Sequence, residues 1–452
     1  MIPVVTPAEM AGIDAAASEP VEELIDRAGA AVARAALDLL GGGYGRRVVV
    51  LAGKGNNGAD GRAAAARLVS RGVRVAVVDA GAREPLPPCD LVIDAAYGTG
   101  FRGEYRSPRP PPGIPVLAVD IASGLSGLTG RASGSPLVAT RTVTFAALKP
   151  GLLLANGPCL SGGITVADIG LDVSGARAHL VEAVDVARWL PPRPRDAHKW
   201  QAAVWIVAGS PGMTGAAHLA TRAAQRAGAG YVRLSSPGVD DDPLKPAEAV
   251  ATRLPAEGWA ADVLADLARF AAIAIGPGLG TGRAAATGVR EVAASAAVAV
   301  VVDGDGLTAL GNDVASVVRS RGAACVLTPH DGEFVRLGGR VEDPDRIAAT
   351  RDLAVSTGAV VLRKGPTTVI GGPDGAVLLT TSGDARLASA GTGDVLTGIV
   401  VALLAQGMPA LEAAAAGAFL HGRAGGLASA RGLVASDVVD HLPVALGQIL
   451  ES

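Results

Sequence analysis

Short apolar runs alternate with alanine-rich segments along the whole chain. In the first half, the apolar runs cover residues 47–53, 73–79, 90–95, 116–121 and 142–146. The segments between several of these runs have the spacing of amphipathic helices, for example over residues 60–71. This alternation is typical of a parallel β-sheet that helices cover on both faces. Ahead of the first run, alanine-rich sequence predicts helices rather than strands.

The second half of the chain repeats this pattern. Its apolar runs cover residues 203–209, 271–276, 298–303, 324–328 and 359–363. Between the halves, the proline-rich stretch 189–200 resists regular structure and predicts a linker. We therefore expect two α/β domains, with residues 1–190 in the first and residues 191–452 in the second.

The most apolar stretch of the chain runs from Thr397 to Leu420 and is interrupted by Gln406, Pro409 and Glu412. These interruptions predict a pair of buried helices rather than a membrane span. The N-terminus carries acidic residues early and lacks the basic start of a secretory signal. We therefore expect neither a membrane partner nor secretion.

Composition and charge narrow the classes of function. The 452 residues are 49% hydrophobic and 18% charged, which excludes a disordered chain. The net charge of −3 comes without a basic stripe, so nucleic acid is not an expected partner. Cys89, Cys159 and Cys325 are far apart and have no metal-binding spacing. Unpaired cysteines indicate a reducing compartment, and we predict a cytoplasmic protein.

A glycine-rich loop follows the first predicted strand. Residues 53–58, GKGNNG, fit the G-x-G-x-x-G pattern of dinucleotide-binding dehydrogenases, which is one possible interpretation. However, Asn56, Asn57 and Asp60 add polar side chains where a pyrophosphate-binding turn mostly needs bare backbone. Two amides and a carboxylate favour directed hydrogen bonding to a ligand, or oxygen ligation of a cation.

Three more ionisable groups follow later strands. Asp94 and Asp120 end two of the apolar runs, and Lys149 lies shortly after a third. Each acid alone is explained equally well as the cap of the next helix. Because the carboxyl ends of parallel strands meet at one edge of the sheet, we expect the three groups to converge there. Two carboxylates and a lysine in one crevice are equipment for acid–base catalysis.

The segments GKGNNGADG, DAAYGTGFRGE, VDIASG and FAALKPGLL, within about residues 1–185, resemble the Rossmann-like NAD(P)H-hydrate epimerases. The resemblance implies acid–base catalysis by Asp120 and Lys149, and a potassium ion held by Asn57, Asp94 and Ser123. The chain departs from the family pattern at Ala59 and Ala122. The resemblance implies binding of the hydrated cofactor, NADHX or NADPHX, by Asn56, Asn57, Gly58, Ala59, Asp60, Gly98, Thr99, Gly100, Phe101, Arg102, Gly103, Glu104 and Asp120.

The motif AGTGD, residues 390–394, carries the most chemistry in the second half. Gly391 and Gly393 allow backbone N–H groups to turn inward at a helix N-terminus, where they form an anion hole for a transferring phosphoryl group. Asp394 beside that hole can accept a hydroxyl proton, although an aspartate in this position also stabilises a helix start. The chain has no GxxxxGK[ST] phosphate loop, so phosphoryl transfer must use this other design.

The motifs AGSPGMTGAA, GPGLG, TPHDGEF, KGPTT and AGTGD, within about residues 195–445, resemble the ADP/ATP-dependent NAD(P)H-hydrate dehydratases, a ribokinase-like family. The chain departs from the family pattern at Trp200–Ala202. The resemblance implies that Asp394 is the catalytic base and that ADP or ATP, with Mg²⁺, is the co-substrate. It implies hydrate contacts at Ala216, Gly278, Gly280, His330 and Asp394. It implies nucleotide contacts at Lys364, Gly365, Pro366, Thr367, Thr368, Gly391, Thr392 and Gly393.

The two resemblances together predict a bifunctional repair enzyme with a Rossmann-like αβα domain and a ribokinase-like αβα domain. The first domain would interconvert the R and S hydrates of NADH and NADPH, and the second would dehydrate the S hydrate. We also expect a homo-oligomer. Two alternatives stay open: a vitamin or sugar kinase fused to a dinucleotide-binding domain, and a non-catalytic cofactor-binding protein.

Overall fold

The computed structural model describes residues 1–82 and 85–451. It divides the chain into two compact units. Residues 2–177 form the first unit, and the chain from Ala178 onward, with Met1, forms the second.

The first unit contains a sheet covered by helices. Its strands are β1 (Ile2–Val4), β2 (Arg47–Ala52), β3 (Arg74–Asp79), β4 (Leu91–Ala95), β5 (Tyr105–Arg106), β6 (Val116–Val119), β7 (Gly134–Ser135), β8 (Arg141–Phe145) and β9 (Gly163–Ala167). Its helices are α1 (Pro7–Ala16), α2 (Val21–Leu40), α3 (Asn56–Val69), α4 (Pro150–Leu153) and α5 (Gly157–Ser161). The main sheet has the order β3-β2-β4-β6-β8-β9 and is parallel throughout.

Helices α2 and α3 pack tightly because small residues meet at their contact. A Cβ atom added to Gly29 of α2 would come within 2.5 Å of the Cβ atom of Ala63 in α3. Strands β2, β4 and β6 are buried along nearly their whole length, which explains their continuous apolar sequence. The strand order reverses between β2 and β4, and a parallel α/β sheet binds its ligands at such a point.

The second unit is larger. Its strands are β10 (Ala178–Leu180), β11 (Ala203–Val207), β12 (Tyr231–Ser235), β13 (Val250–Ala251), β14 (Ala272–Ile275), β15 (Ala299–Val302), β16 (Cys325–Leu327), β17 (Val360–Arg363), β18 (Thr368–Gly371) and β19 (Val377–Thr380). Its α-helices are α6 (Ala183–Trp189), α7 (Gly215–Arg226), α8 (Trp259–Asp266), α9 (Arg283–Ser295), α10 (Asp305–Leu310), α11 (Val314–Val318), α12 (Asp331–Arg336), α13 (Arg346–Thr357), α14 (Thr392–Ala405), α15 (Ala410–Leu427) and α16 (Ala435–Leu450). Short 3₁₀ helices cover Lys199–Ala202, Leu267–Arg269, Gly311–Asp313 and Ala385–Leu387.

The strands of the second unit follow the order β10-β19-β18-β17-β16-β15-β14-β11-β12-β13. The pairs from β17 to β13 are parallel, whereas β18 pairs antiparallel with β17 and with β19. The order reverses between β11 and β14. Helices α14 and α15 are buried along most of their length, which confirms the predicted helix pair over Thr397–Leu420. None of the helices in the described parts of the chain is both long and apolar enough to cross a membrane.

The sequence pattern located the parallel strands β2, β4, β6, β11, β14 and β15 to within a few residues. It missed β1, because the short run Ile2–Val4 precedes helix α1 without a recognisable strand pattern. It also missed strands β18 and β19. Because β18 pairs antiparallel with both β17 and β19, the observed sheet is mixed rather than parallel as predicted.

The structure places the division between the units earlier than the predicted boundary after residue 190. Strand β10 pairs with β19, and helix α6 packs against α15 and α16, so both elements belong to the second unit. The proline-rich stretch is irregular between residues 190 and 198, as predicted. It is therefore a connection inside the second unit rather than the link between the units.

Candidate active sites

In the first unit, a cavity of about 500 Å³ opens at the carboxyl ends of β2, β4, β6 and β8. Helices α1 and α2 provide a mainly apolar wall. The opposite wall comes from the loops that follow the strands. The polar and charged residues around the cavity include Asp14, Asn56, Asn57, Asp60, Thr99, Asp120 and Lys149. The structure therefore brings Asp120 and Lys149 together with the asparagine-rich loop, as the sequence predicted.

The glycine loop folds back on itself because it contains no side chains at two crowded positions. A Cβ atom on Gly53 would lie 1.9 Å from the carbonyl oxygen of Ala96. A Cβ atom on Gly58 would lie 2.0 Å from the carbonyl oxygen of Gly53. Helix α3 begins at Asn56 directly after this turn, so Asn56 and Asn57 lie at a helix N-terminus that faces the cavity.

Asp94 and Ser123 form a buried, hydrogen-bonded pair. The Asp94 side chain is 0% exposed and accepts hydrogen bonds from the Ser123 hydroxyl at 2.6 Å and from the Ser123 N–H at 2.9 Å. Burial raises the pKa of Asp94, and hydrogen bonds from Ser123 and Ala96 only partly oppose this. Neither the amide nitrogen nor the amide oxygen of buried Asn57 has a hydrogen-bond partner among the described residues. Unpaired amide oxygen and buried carboxylate are the donor types that a hard cation prefers.

Asp120 directly follows β6 and has a positive φ of 63°, a conformation that non-glycine residues rarely adopt. This conformation is compatible with two hydrogen bonds at its Oδ1 atom, from Lys149 Nζ at 2.7 Å and from the Thr144 hydroxyl at 2.9 Å. Lys149 is 1% exposed, and its ammonium also donates to the Thr144 hydroxyl at 2.9 Å and to the Phe145 carbonyl at 3.0 Å. Three acceptors therefore fix the lysine, which in turn fixes the carboxylate.

Two further carboxylates share this environment. Burial, followed by the negative charges of Asp120 and Asp14, raises the pKa of Asp60 to about 8. Burial also raises the pKa of Asp14, although Lys149 opposes the shift. The sequence had assigned Asp60 to ligand binding but had missed Asp14 and Thr144. Only the packing of α1 over the sheet brings Asp14 to the cavity, and no local sequence signal indicates this approach.

Not every residue predicted to bind the hydrate lines this cavity. Gly98, Thr99, Gly100 and Phe101 do, together with Asn56, Asn57, Asp60 and Asp120. By contrast, Gly58, Ala59, Arg102, Gly103 and Glu104 are not among its lining residues. Gly58 and Ala59 lie inside the first turn of α3, and Glu104 forms an exposed ion pair with Arg106. The predicted role of these five residues in binding the hydrate therefore stays a prediction.

In the second unit, two loops meet where the strand order reverses between β11 and β14. A Cβ atom on Gly278 would lie 3.3 Å from the Cβ atom of Ala216, so the two predicted hydrate contacts are neighbours. Both Gly278 and Gly280 have positive φ values, of 63° and 80°. The Gly280 N–H donates a hydrogen bond to Asp305 at 2.8 Å, which links this loop to the end of β15.

A buried ion pair lies at the carboxyl ends of β15 and β17. Asp303 is 2% exposed and accepts hydrogen bonds from Lys364 Nζ at 2.8 Å and from the Thr397 hydroxyl at 2.7 Å. Burial disfavours the ionised form of Asp303. The positive charge and the hydrogen bond of Lys364, together with hydrogen bonds from threonines, have the larger effect, so the pKa of Asp303 lies below its usual value. Lys364 also lies 3.7 Å from Glu333. Burial disfavours the charged ammonium, yet the two carboxylates raise the pKa of Lys364.

Asp394 lies in the first turn of α14, after Gly391, whose φ is 87°. Burial, then the negative charge of Asp303, raises the pKa of Asp394 to about 7, and Lys364 opposes this shift. A Cβ atom on Gly393 would lie 3.6 Å from Lys364 Nζ. The structure therefore brings the AGTGD motif and the first residue of the predicted nucleotide loop to one place.

His330 has a structural role that the sequence did not predict. Its Nδ1 atom accepts hydrogen bonds from the N–H groups of Gly332 at 3.0 Å and Glu333 at 3.3 Å, and so caps helix α12. Its own N–H donates to Glu333 Oε2 at 2.9 Å, which completes a capping box. The side chain is 57% exposed, and its Nε2 atom lies 3.5 Å from Glu333 Oε1.

Comparison with known proteins places the chain in a family. Residues 204–444 match the family described as NAD(P)H-hydrate dehydratase. Residues 21–87 and 79–151 match the family described as YjeF-related protein N-terminus. The bifunctional NAD(P)H-hydrate repair enzyme Nnr of Moorella thermoacetica is 36% identical, and the match covers 99% of this chain and 97% of that protein. The chain belongs to the family of bifunctional NAD(P)H-hydrate repair enzymes.

Further matches to known proteins indicate the same family and fold. The enzyme of the same name from Mycobacterium tuberculosis is 39% identical, over 83% of this chain and 82% of that protein. An ADP/ATP-dependent NAD(P)H-hydrate dehydratase of Bacillus subtilis, crystallised with ATP and Mg²⁺, matches 59% of this chain and 97% of its own, with a TM-score of 0.53 and 31% identity. A ribokinase-like superfamily protein of Enterococcus faecalis matches 61% of this chain and 97% of its own, with a TM-score of 0.54; at 23% identity it shows the fold alone. The predicted family, fold class and enzyme class are confirmed.

Proposed function

We propose that the first unit interconverts the R and S hydrates of NADH and NADPH, and that the second unit dehydrates the S hydrate at the expense of ADP or ATP. The observation that carries this proposal is the position of one aspartate in each unit. Asp120 and Asp394 both lie where the carboxyl ends of a parallel sheet meet polar loops, and each has a lysine nearby. Family membership favours this function over a fused kinase or a non-catalytic binding protein.

In the first unit, Asp120 would exchange a proton with the hydroxyl group of the hydrated ring. Moving a hydroxyl group between the two faces of a ring carbon requires the ring to open or the hydroxyl to leave, and either route transfers protons. Lys149 has three acceptors around its ammonium, so its role would be to orient Asp120 and balance its charge. Asn56, Asp60 and the loop from Gly98 to Phe101 would bind the hydrate.

Asn57, Asp94 and Ser123 would hold a potassium ion. The unpaired amide of Asn57 and the buried carboxylate of Asp94 support this assignment. When bound, the ion would supply positive charge beside the loop that contacts the hydrate. All three residues offer oxygen atoms, the type of ligand that a hard cation takes, and the Ser123 hydroxyl lies 2.6 Å from Asp94.

In the second unit, Asp394 would accept the proton of the ring hydroxyl while the terminal phosphoryl group of the nucleotide transfers to that oxygen. Backbone N–H groups of Gly391 to Gly393 would stabilise the developing negative charge. The new C–O–P linkage would then break at carbon as the ring nitrogen lone pair expels phosphate and forms a C=N bond, and loss of a proton from the adjacent ring carbon would restore the reduced nicotinamide. With ADP, the products are therefore AMP and phosphate.

The residues from Lys364 to Thr368 would hold the nucleotide phosphates, close to the helix start at Gly391 to Gly393. The Bacillus subtilis relative crystallised with ATP and Mg²⁺ supports the use of a nucleotide with this ion. The described residues contain no group of three or more acidic, histidine or cysteine side chains arranged for a metal. When bound with the nucleotide, Mg²⁺ would supply positive charge that neutralises the phosphates.

The proposal is tested by following the absorbance of reduced nicotinamide. The protein is incubated with a mixture of R and S hydrates, and with ADP, ATP or no nucleotide. Complete conversion of both epimers with a nucleotide, together with release of AMP or ADP and free phosphate, is the expected result. A stable phosphorylated product would instead identify a kinase, and nucleotide binding without turnover would identify a binding protein. The cytoplasmic location and the homo-oligomeric state stay predictions.

A further inference from the structure

Asp331 stands between two arginines in the second unit. Its Oδ1 atom accepts a hydrogen bond from Arg363 Nε at 2.8 Å, and both of its oxygens lie near Arg346 Nη1, at 3.0 and 3.2 Å. Arg363 is 2% exposed and stacks its guanidinium 4.2 Å from the ring centroid of Phe334. One carboxylate therefore joins the N-terminus of α12, the N-terminus of α13 and the end of β17.

Arg346 also binds the backbone at the start of the loop that is proposed to hold the nucleotide, Lys364 to Thr368. Its Nη2 atom donates a hydrogen bond to the Lys364 carbonyl at 2.8 Å. A Cβ atom on Gly365 would lie 2.8 Å from the same Nη2 atom, so the absence of a side chain at Gly365 lets the guanidinium approach the backbone. The arginine thus fixes the backbone of the loop at Lys364, whose side chain meets Asp303 on the other side.

The carboxylate of Asp331 also lies next in sequence to His330, in the loop proposed to contact the hydrate. Asp331 is the first residue of α12, and His330 is the cap of that helix. Two residues further on, Glu333 lies 3.7 Å from Lys364 Nζ. The loop proposed to contact the hydrate and the loop proposed to hold the nucleotide are therefore tied together twice, once through Glu333 and Lys364 and once through Asp331 and Arg346.

We propose that Asp331 and Arg346 are positioning residues that set the nucleotide loop, Lys364 to Thr368, in register with the hydrate loop at His330. This inference rests on the proposed dehydratase function. The contacts that the structure describes for this pair reach the Lys364 carbonyl and Arg363 and do not include the proton acceptor Asp394, so we argue an effect on loop geometry. A misplacement of about 1 Å in a phosphoryl-transfer site lowers the rate on the order of 100-fold, which makes such a clamp measurable.

The test uses the full chain with Arg346→Gln, which removes the charge and the fork of donors, and Arg346→Lys, which keeps the charge alone. The matched control is Arg340→Gln. Arg340 pairs with Asp343 and Asp352 close to the same helix but is exposed and makes no contact with the loop among the described residues. ADP binding is measured by calorimetry, KM and kcat are measured for ADP and for the S hydrate, and thermal unfolding is followed for each protein.

We expect Arg346→Gln to raise the KM for ADP and lower kcat/KM for ADP by about 10- to 100-fold. Arg346→Lys should recover part of that loss, while Arg340→Gln stays within about twofold of the parent. Epimerisation should be unchanged in all three. Adding Asp331→Asn to Arg346→Gln should raise the KM for ADP little further, because both residues act on the same loop, but it should lower the melting temperature, because Arg363 loses its carboxylate.

Two results would overturn the inference. The first is an Arg346→Gln protein whose KM and kcat for ADP match the parent. The second is a change in thermal unfolding alone, or an equal loss in Arg340→Gln, which would indicate a merely structural role. Asp331→Asn leaves the buried guanidinium of Arg363 without its carboxylate and so tests folding as well as positioning; the Arg346 variants therefore decide. Failure of the parent chain to bind ADP or to dehydrate the S hydrate would instead count against the proposed function.

Discussion

The two units hold their central aspartates in different ways. Asp120 accepts short hydrogen bonds from Lys149 and Thr144, so a direct ion pair fixes its carboxylate. The carboxylate of Asp394 accepts no hydrogen bond from the residues that the structure describes, and burial beside Asp303 raises its pKa to about 7. The first aspartate is thus oriented by its partners, and the second is kept near the midpoint of its titration by its surroundings.

This difference suits the two proposed reactions. An epimerase returns to its substrate the protons that it removes, so a fixed carboxylate serves both directions. A base that must take a hydroxyl proton at neutral pH works best when its pKa is close to the working pH. Substitutions at the two sites, removal of the cation, changes of pH and division of the chain each test this contrast.

Replacing Asp394 should nearly abolish dehydration. Asparagine keeps the size of the side chain but cannot accept the proton, and loss of a general base costs about 10²–10⁴-fold in rate. We expect Asp394→Asn to lose nucleotide-dependent formation of reduced nicotinamide to this extent. ADP binding and epimerisation should survive, since the loop at Lys364 and the site of Asp120 are unchanged.

The control for this variant is Asp241→Asn, which changes an exposed loop residue of the same unit. A mixture of Asp394→Asn with Asp120→Asn protein should regain full repair of both epimers, because each supplies the step that the other lacks. If Asp394→Asn dehydrates the S hydrate at nearly the parent rate, Asp394 is not the general base. Simultaneous loss of both activities would contradict the assignment of one site to each unit.

Replacing Lys149 should destabilise the first unit. Lys149→Met leaves the largely buried carboxylate of Asp120 without its partner, and breaking a buried ion pair costs about 3–5 kcal/mol. We expect the free energy of unfolding of the first unit, measured by urea denaturation, to fall by this order, with loss of epimerisation. Arg74→Met, at an exposed position of β3, should change the stability little. An unfolding curve of Lys149→Met equal to that of the parent would mean that the pair does not form.

Removing the cation or its carboxylate should weaken epimerisation. Asp94 is a buried acid, and in the described parts of the chain no basic residue is recorded as its partner. A bound cation would therefore be its natural counterion. We expect Asp94→Ala, or dialysis into potassium-free buffer, to lower the epimerisation rate by about 10- to 100-fold, the usual cost of disturbing a metal site. Dehydration of pure S hydrate serves as the internal control. Equal epimerisation with and without potassium would sink the assignment.

The pH dependence of dehydration should follow Asp394. Only the ionised carboxylate accepts a proton, and its pKa is about 7, so the ionised fraction falls as the pH falls. We expect kcat to decline by about tenfold per pH unit below that point and to level off above it. The residual rate of Asp394→Asn should lack this inflection. A flat parent profile between about pH 5.5 and 7 would contradict the assignment.

Cutting the chain between the units should have the smallest effect. The structure places the division after Arg177, so we expect a fragment of residues 1–177 to keep epimerase activity within about twofold of the full chain. A fragment ending at residue 190 would carry β10 and α6 without the sheet on which they pack, and it should be less soluble. Inactivity of a folded 1–177 fragment would show that the first unit depends on the second.

The sequence predicted those features that depend on local pattern. Strands β2, β4 and β14 are buried on both faces, so their apolar runs are continuous and easily recognised. Asp120 and Lys149 line one crevice, as expected for groups that follow parallel strands ending at a common edge, whereas Asp94 is fully buried and does not line it. Strands β18 and β19 were missed because they are short and join the sheet antiparallel, which leaves no βαβ spacing to recognise.

Contacts between distant elements could not be predicted in this way. Asp14 reaches the cavity only because α1 packs over the end of the sheet, and Arg346 meets Asp331 only because α12 and α13 begin side by side. The capping role of His330 was hidden for a different reason. Its motif indicated a ligand, whereas histidine is an uncommon helix cap.

The positive φ of Asp120 has a consequence for laboratory evolution. A left-handed backbone costs a non-glycine residue on the order of 1–2 kcal/mol, and glycine adopts it without that cost. A screen that rewards heat resistance alone would nevertheless retain Asp120, because glycine at position 120 relieves this strain but leaves the buried ammonium of Lys149 without its carboxylate, which costs about 3–5 kcal/mol. Ala146 has a similar φ of 60° but carries no reactive group, so there the same relief of strain leaves the chemistry intact.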